Sequence, residues 1–246
     1  MYLNTRGLVL RVTDYNDRDS LLTLITPNNG KLTVKARGLR RKNSPLIAPC
    51  QLLAYGDFTL FEYRGSYTIN EAVSVELFQN LRRDLTKLSL GTYFAQVAEL
   101  ISQEDMSNPE LLSLVLNCLY VLSKDMQEDK VKAVFELRAV CLAGYMPDLT
   151  GCHICGGTTQ IYFDLAAGVL ECSRCRSLEP SGIRLPVSMG TLDAMRFIAF
   201  CDTKRMFSFE LGQENLTQLS QIAEAYLSTQ LERGFSALDF YKSLFV

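Results

Sequence analysis

Histidine is almost absent from this sequence, since His153 is the only one among its 246 residues. Catalytic triads and catalytic zinc sites generally need histidine as base or ligand, so this scarcity argues against both. The glycine patterns of P-loops and dinucleotide-binding folds are missing. The His-x-Glu signature of zinc deaminases is missing as well. These absences predict a protein that is not an enzyme.

Long apolar runs are also lacking. The hydrophobic runs are short and broken by polar residues, which predicts no membrane span. The first residues carry no apolar core of a signal peptide. Cysteine use is typical of a reducing compartment, because Cys118 and Cys141 stand in apolar surroundings that suit small buried thiols. We therefore expect a cytoplasmic protein.

Charge is close to balanced overall, with a formal net charge of −2, but it is unevenly distributed. Residues 1–80 carry ten Lys/Arg and seven Asp/Glu, whereas residues 81–246 carry fifteen and twenty. This asymmetry predicts a modestly basic domain joined to an acidic one. The chain length allows one large domain or two ordinary ones.

Two Cys-x-x-Cys pairs form the strongest motif: Cys152 with Cys155, and Cys172 with Cys175. Two such turns can point four thiolates at one ion, which predicts a tetrahedral zinc site. Two disulfides, a redox-active pair and an iron–sulfur cluster are the alternatives. Four sulfur ligands would leave no open position, so we expect one structural zinc ion. His153 lies inside the first turn and is expected to face solvent.

The first third of the chain reads as β structure. Residues 31–36 alternate apolar and polar side chains, and Asn29-Gly30 favours a tight turn before them. Strands are predicted at residues 7–12, 20–26, 31–36, 51–63 and 67–77. Five strands without an intervening helix predict an OB-fold barrel over residues 1–79, with an SH3-type barrel as the alternative.

From residue 80 to 246 the apolar period becomes helical. Helices are predicted at residues 85–101, 109–123, 131–145, 189–201 and 214–231. We expect these helices to pack as one bundle, with a zinc module inserted at residues 148–181. The predicted fold class is therefore α+β, with a barrel followed by a helical domain.

A basic segment lies at the end of the third strand and in the loop after it. It holds six cations and no acid: Lys31, Lys35, Arg37, Arg40, Arg41 and Lys42. Such a cluster on a small barrel is typical of phosphate contacts with DNA, although a solvated loop is the plain alternative. The aromatic residues available for base stacking are Tyr15, Phe58, Phe61, Tyr63 and Tyr67.

Arg138 lies on the apolar stripe of a predicted helix, between Phe135 and Cys141. A cation in that position is normally paired or extends to the surface. The functional alternative is that it binds the carboxylate of a partner protein.

Together these segments resemble the RecO family of bacterial recombination mediators. The first matching segment is Gly7-Leu-Val-Leu with Asp14-Tyr and Asp17-Arg-Asp-Ser-Leu-Leu; the second is Gly30 with Lys35-Ala-Arg-Gly-Leu-Arg-Arg-Lys. The third is Phe135-Glu-Leu-Arg, then Gly144-Tyr-Met-Pro-Asp-Leu, then the cysteine pairs. The resemblance covers almost the whole chain.

This resemblance implies a protein that binds single- and double-stranded DNA, anneals single strands, and acts at the bacterial nucleoid. It implies work with RecR to load RecA onto DNA coated by single-stranded-DNA-binding protein (SSB). The helical domain would bind the C-terminal tail of SSB, and the free protein would be a monomer. Family members without the cysteines exist, which agrees with a structural role for the metal.

Two other functions stay open on the sequence alone. One is a zinc-stabilised protein–protein adaptor whose basic loop does not contact DNA. The other is a zinc hydrolase or nuclease acting on nucleic acid.

Overall fold

The computed structural model describes residues 1–176 and 182–245, and the chain forms two compact units. The barrel unit comprises Met1–Lys124 and Phe235–Val246, and the cysteine unit comprises Asp125–Gly234. The end of the predicted zinc module, residues 177–181, lies outside the described residues. The domain boundary predicted between residues 79 and 80 stays a prediction.

Five strands close into a barrel in the barrel unit: β1 (Tyr2–Asp14), β2 (Ser20–Thr26), β3 (Gly30–Ala36), β4 (Tyr55–Tyr63) and β5 (Ser66–Glu76). Their order around the barrel is β1-β2-β3-β5-β4, with β4 pairing back to β1. Only β3 and β5 run parallel. This order is that of an OB-fold, so the predicted barrel is confirmed and the SH3 alternative is wrong.

Strand β1 is long because it serves two neighbours. Its first half pairs with β4 and its second half with β2, and the register shifts between Val9 and Arg11. Such a bulge bends a strand and lets it turn the corner of a small barrel. The predicted alternation in β3 is confirmed, since Leu32 and Val34 lie in the barrel core while Lys35 points outward.

Gly30 fixes the approach of the β2–β3 hairpin to the loop after the second helix. Its φ is +62°, and a Cβ there would lie 2.3 Å from the carbonyl oxygen of Met106. The backbone N–H of Lys31 donates to the carbonyl of Gln103 at 3.0 Å. Only glycine meets both the positive φ and the close approach.

The barrel unit also contains four helices: α1 (Gln79–Arg82), α2 (Leu85–Ile101), α3 (Pro109–Ser123) and α7 (Ser236–Ser243). Asn108 caps α3 by accepting from the N–H of Leu111, as its sequence predicts. Helix α7 returns to the barrel unit after the whole cysteine unit. It packs on α2, and its Ala237 N–H donates to Gln96 Oε1 at 3.2 Å.

The cysteine unit combines three helices with a small sheet. The helices are α4 (Glu128–Leu142), α5 (Met189–Phe200) and α6 (Gln213–Leu231); the strands are β6 (Asp148–Cys152), β7 (Ile161–Asp164), β8 (Val169–Cys172) and β9 (Arg184–Val187). The sheet order is β6-β8-β7-β9, with β6 and β8 parallel. Although one bundle was predicted, the helices are thus divided between the two compact units.

A buried ion network joins α4 to α6 in the cysteine unit. Lys132 Nζ lies 3.0 Å from Glu136 Oε1 and 2.8 Å from Glu224 Oε2. Lys132 and Glu136 are almost fully buried, so each needs the other as a partner. Among the described helices, none is long and apolar enough to cross a membrane.

Candidate nucleic-acid interface and metal centre

The predicted basic segment begins on the outer face of β3 and continues into the loop that follows. Lys31 is partly withdrawn from solvent, because its Nζ donates to the carbonyl of Glu99 at 3.1 Å at the end of α2. This contact ties the barrel to α2. Lys31 therefore has a structural task in addition to any contact with a ligand.

The end of β1 and the β1–β2 loop bring two acids to the basic segment. Lys35 Nζ lies 3.3 Å from Asp19 Oδ2, and Arg40 Nη2 lies 3.3 Å from Asp14 Oδ2. Lys35 also lies over the ring of Tyr15, 4.5 Å from its centroid. Two of the six predicted cations are therefore partly neutralised, which the local sequence of residues 31–42 does not show.

Asp19 holds the two loops together. Its Oδ1 accepts the backbone N–H of Gly38 at 2.8 Å, and the backbone N–H of Arg40 donates to the carbonyl of Arg18. The Gly38 N–H, then Asn16 and Lys35, lower the pKa of Asp19 from its ordinary value. The carboxylate is therefore charged at neutral pH and holds the backbone of the basic segment at Gly38.

Arg37, Arg41 and Lys42 remain exposed, and within the described residues none of them has a carboxylate partner. Arg18 on the neighbouring loop is exposed and unpaired in the same way. The local sequence hides Arg18 as a DNA-binding candidate, because it stands between Asp17 and Asp19. The structure thus brings four unpaired cations to one end of the barrel.

Exposed aromatic residues lie at the same end of the barrel. Phe61 is 40% exposed and Tyr63 is 61% exposed, whereas Phe58 belongs to the core. Phe61 pairs across the sheet with Tyr2, and their ring centroids are 5.4 Å apart. Tyr2 lies outside the predicted first strand, which begins at residue 7, so it was not among the predicted stacking residues. The alternation of Leu3 and Thr5 with Asn4 and Arg6 was the signal that could have extended the predicted strand to Tyr2.

The four predicted metal ligands meet at one point in the cysteine unit. Parallel strands β6 and β8 end at Cys152 and Cys172, so both Cys-x-x-Cys turns leave the same edge of the sheet. In the first turn the N–H of Gly156 donates to the carbonyl of Cys152, and Gly156 has a φ of +72°. Glycine accommodates that turn without strain.

The sulfur geometry fits a single ion. The four Sγ atoms lie within 4.8 Å of one another, and those of Cys155 and Cys172 are 3.7 Å apart. A tetrahedral centre with metal–sulfur bonds of about 2.3 Å places sulfur atoms roughly 3.8 Å apart. Because all four thiols converge, one metal suits them better than two separate disulfides. The four cysteines can therefore hold a metal ion.

Hydrogen bonds within the cluster move the pKa values of Cys152 and Cys175 in opposite directions. Burial raises the pKa of Cys152, but backbone N–H groups of Cys172, Cys155 and Ile154 outweigh it and lower that pKa to about 6. Chiefly through its hydrogen bonds with Cys155 and Cys172, Cys175 has a pKa raised to about 12. Four neighbouring thiolates repel one another, and a bound metal ion removes that repulsion.

His153 is not a fifth ligand. It is exposed, and its Nε2 lies 3.4 Å from Glu171 Oε1. Glu171 in turn accepts from Arg184 Nε at 2.8 Å, and Arg184 Nη2 lies 3.3 Å from Asp164 Oδ2. This chain of polar contacts links the first cysteine turn to β7, β8 and β9. The expectation that His153 is an exposed spacer agrees with this placement.

Arg138 lies at the C-terminal end of α5. Its Nη1 donates to the carbonyls of Ile198, Ala199 and Cys201 at 3.1–3.3 Å, and its Nη2 donates to Thr203 Oγ1 at 3.2 Å. A cation there satisfies terminal carbonyls and the helix dipole. The assignment of Arg138 to a partner's carboxylate stays a prediction.

Two family models match successive parts of the chain. Residues 1–78 match the family model described as the N-terminal part of recombination protein O, and residues 82–239 match the C-terminal part. The chain belongs to the RecO family. A relative from Acetivibrio thermocellus, named DNA repair protein RecO, is 33% identical over 99% of this chain and 97% of its own length. One of the same name from Alkaliphilus metalliredigens is 30% identical over 99% of this chain and 100% of its own.

Family membership agrees with the architecture, since an OB-type barrel is followed by helices and a cysteine cluster. A Bacillus subtilis relative of the same name is 27% identical over 92% of this chain and 88% of its own length. The resemblance drawn from the sequence is therefore confirmed.

Proposed function

We propose that the protein is a non-enzymatic recombination mediator that binds single- and double-stranded DNA through its barrel and anneals single strands. The observation that carries this proposal is the group of unpaired, exposed cations on an OB-type barrel. Barrels of this type bind oligonucleotides through the β2–β3 face and the adjoining loops. The two relatives that match 99% of this chain are named DNA repair proteins.

The six predicted cations contribute unequally in this proposal. Arg37, Arg41 and Lys42 are the main phosphate contacts, because no carboxylate has to be displaced from them. Lys35 and Arg40 contribute less, since each already faces an aspartate. Lys31 lies at the edge of the surface and is held by α2.

The decisive experiment reverses the three unpaired charges. The triple variant Arg37→Glu, Arg41→Glu, Lys42→Glu should bind neither single-stranded nor duplex DNA measurably at moderate salt, while its melting temperature stays unchanged. The matched control is Lys204→Glu, Arg205→Glu, Arg233→Glu, which makes the same change in net charge at exposed cations of the cysteine unit. If both triple variants lose DNA binding equally, net charge and not this surface governs the affinity.

Salt dependence gives an independent test of the same surface. Each phosphate contact on a single strand lowers log K by about 0.7 per unit of log salt. The wild-type protein should therefore show a slope of roughly −2 or steeper, and the basic-loop variant a much flatter one. A flat slope in the wild type would favour the adaptor function, as would a failure to accelerate strand annealing.

The partner proposals extend this function. We infer that the protein acts in the bacterial cytoplasm, at the nucleoid, as a free monomer that joins RecR and helps RecA replace SSB. Arg138 would receive the carboxylate of the SSB tail. The variant Arg138→Met should then lose binding to a peptide of that tail, with DNA binding unchanged. If Arg138→Met also lowers the melting temperature, the loss of peptide binding would be explained by the contacts of Arg138 with the end of α5, and Arg138 would have a structural role only.

For the metal we propose one structural zinc ion held by Cys152, Cys155, Cys172 and Cys175. Thiolate ligands in a tetrahedral set suit zinc, and a closed shell leaves no position for water. Metal analysis should find one zinc per chain. A chelator should then destabilise the cysteine unit without releasing DNA from the barrel. Iron with sulfide in place of zinc would contradict the assignment.

A further inference from the structure

The register of the barrel aligns a row of side chains across four strands on its outer face. Tyr2 of β1 stands opposite Phe61 of β4, Phe61 stands opposite Thr68 of β5, and Thr68 is paired with Lys35 of β3. Neighbouring strands lie about 4.8 Å apart, so Lys35 is roughly 10 Å from Phe61. The row therefore joins an aromatic end to a cationic end.

The aromatic end of this row is open to solvent. Tyr2 is 61% exposed and Phe61 is 40% exposed, and their rings are tilted by 58° with centroids 5.4 Å apart. They border a groove of about 320 Å³ lined by Tyr2, Arg37, Phe61, Thr68, Ile69 and Asn70. No carboxylate lines it. Two exposed rings beside an unpaired guanidinium form a surface with both stacking and anion-binding capacity.

We propose that this groove is a base-stacking subsite that accepts one unpaired nucleobase on Phe61 and Tyr2, with the adjoining phosphate on Arg37. Thr68 and Asn70 offer hydrogen-bonding groups at the edge of the base. The inference rests on the proposed function and deepens it, because it gives the barrel a reason to prefer single strands. Bases inside a duplex have both faces covered by their neighbours and cannot enter.

The neighbouring charges favour a nucleic acid over an acidic peptide as the occupant. Arg37 lines the groove, and Arg41 follows in the same loop. The Arg41 side chain lies against Gly38, since its Cδ would be 3.4 Å from a Cβ at that position. A strand whose base lies on Phe61 can thus continue from Arg37 toward Arg41. Every base has a π-face, so this subsite is expected to tolerate any sequence.

The test compares single strands with duplex for aromatic variants. Phe61→Thr and Tyr2→Thr keep a strand-forming residue on an exposed face while removing the ring. Each should weaken binding of an oligo(dT) of about 16 nucleotides by about 5- to 150-fold, which is the range for one lost base stack. Duplex affinity should change less than about twofold, because phosphate contacts remain. Phe61→Tyr should retain wild-type affinity.

Tyr120→Ala is the matched control, since it removes a 55% exposed ring from α3, outside the groove. It should leave both affinities unchanged. The sequence contains no tryptophan, so Tyr2→Trp introduces a single reporter. Its fluorescence should be quenched by oligo(dT) and not by duplex. An oligo(rU) arm shows whether the subsite distinguishes DNA from RNA, since either supplies the unpaired base.

Two results would overturn the subsite while leaving the proposed function intact. One is oligo(dT) affinity within twofold of wild type in both ring variants; the other is an equal loss for single strands and duplex. Failure of the wild-type protein to bind any DNA would instead remove the proposed function. Circular dichroism and melting of Phe61→Thr and Tyr2→Thr separate loss of a stack from loss of the fold.

Discussion

The barrel unit and the cysteine unit hold their charged groups in opposite ways. At the end of the barrel the cations are exposed, and those with partners face aspartates on a neighbouring loop. In the cysteine unit Lys132 and Arg184 are buried and closely surrounded by carboxylates. Exposed charges contribute little to folding and are available to a ligand, whereas buried ones must be paired for the fold to survive. The two units should therefore respond differently to loss of a charge.

The largest effect is expected from removing one of the four cysteines proposed to bind zinc. Cys172→Ser should abolish metal binding and the cooperative unfolding of the cysteine unit, because structural zinc contributes about 10–16 kcal/mol in small peptides. Calorimetry and metal analysis would measure both. Cys201→Ser is the matched control, since Cys201 lies outside the cluster. An unchanged transition in Cys172→Ser would show that the unit folds without metal.

The next largest effect concerns the buried ion network of the cysteine unit. Lys132→Met should destabilise that unit by about 3–5 kcal/mol, because it leaves Glu136 buried without its cation. Chemical denaturation would measure the loss. Lys204→Met, at an exposed position, should cost almost nothing. If the two variants lose the same free energy of unfolding, burial does not decide how much a lysine contributes to stability in this unit.

The pH dependence of this network has a definite sign. Burial lowers the pKa of Lys132, but Glu136 and Glu224 outweigh it and raise the pKa above its ordinary value of 10.5. A raised folded pKa gives stability that is complete below 10.5 and is lost as the pH rises through the folded value. The stability difference between the wild type and Lys132→Met should therefore be largest below pH 10.5 and should shrink as the pH rises further.

A smaller effect, on the salt dependence of DNA binding, should distinguish paired from unpaired cations within the basic segment. Arg41→Gln should flatten the salt dependence of single-strand binding by about 0.7, the value for one lost phosphate contact. Arg40→Gln should flatten it less, because Arg40 already pairs with Asp14. Titrations at several salt concentrations would compare them. Equal slopes for the two variants would show that the Asp14 pair opens on binding.

The smallest effect is expected from Asp19→Asn. The amide can still accept the N–H of Gly38, but the ion pair with Lys35 is lost. Single-strand affinity should rise by about 1.5- to 5-fold, as expected for release of one surface ion pair. In the same assay, Arg41→Gln should lower the single-strand affinity and so serves as the control of opposite sign. A fall in affinity would mean that Asp19 orients Lys35 for binding.

The same aspartate gives the barrel an acid-sensitive contact. The pKa of Asp19 lies below its ordinary 3.8. Its contribution to stability is therefore present above pH 3.8 and is lost as the pH falls through the lower folded value. Acid should loosen the contact with Gly38 before the barrel unfolds, and amide exchange at Gly38 would detect it.

The sequence predicts the two units with different success for a physical reason. A Cys-x-x-Cys turn is local, so its spacing alone places both thiols. The start of helix α3 is likewise predicted locally, by Asn108 as its cap and Pro109 in its first turn. The groove depends on pairing between strands far apart in the chain. Nothing near Arg40 indicates Asp14, and nothing near Phe61 indicates Tyr2. Those partners follow from barrel register, which local patterns do not encode.

The return of α7 to the barrel unit has a consequence for the order of folding. The contact between Gln96 and Ala237 joins residues 141 positions apart, with the whole cysteine unit between them. During synthesis, α2 must wait for its partner until that intervening segment has left the ribosome. Closing so long a loop is slow, and it becomes easier once the intervening chain is compact. Delayed folding of the cysteine unit should therefore slow the last step in maturation of the barrel unit.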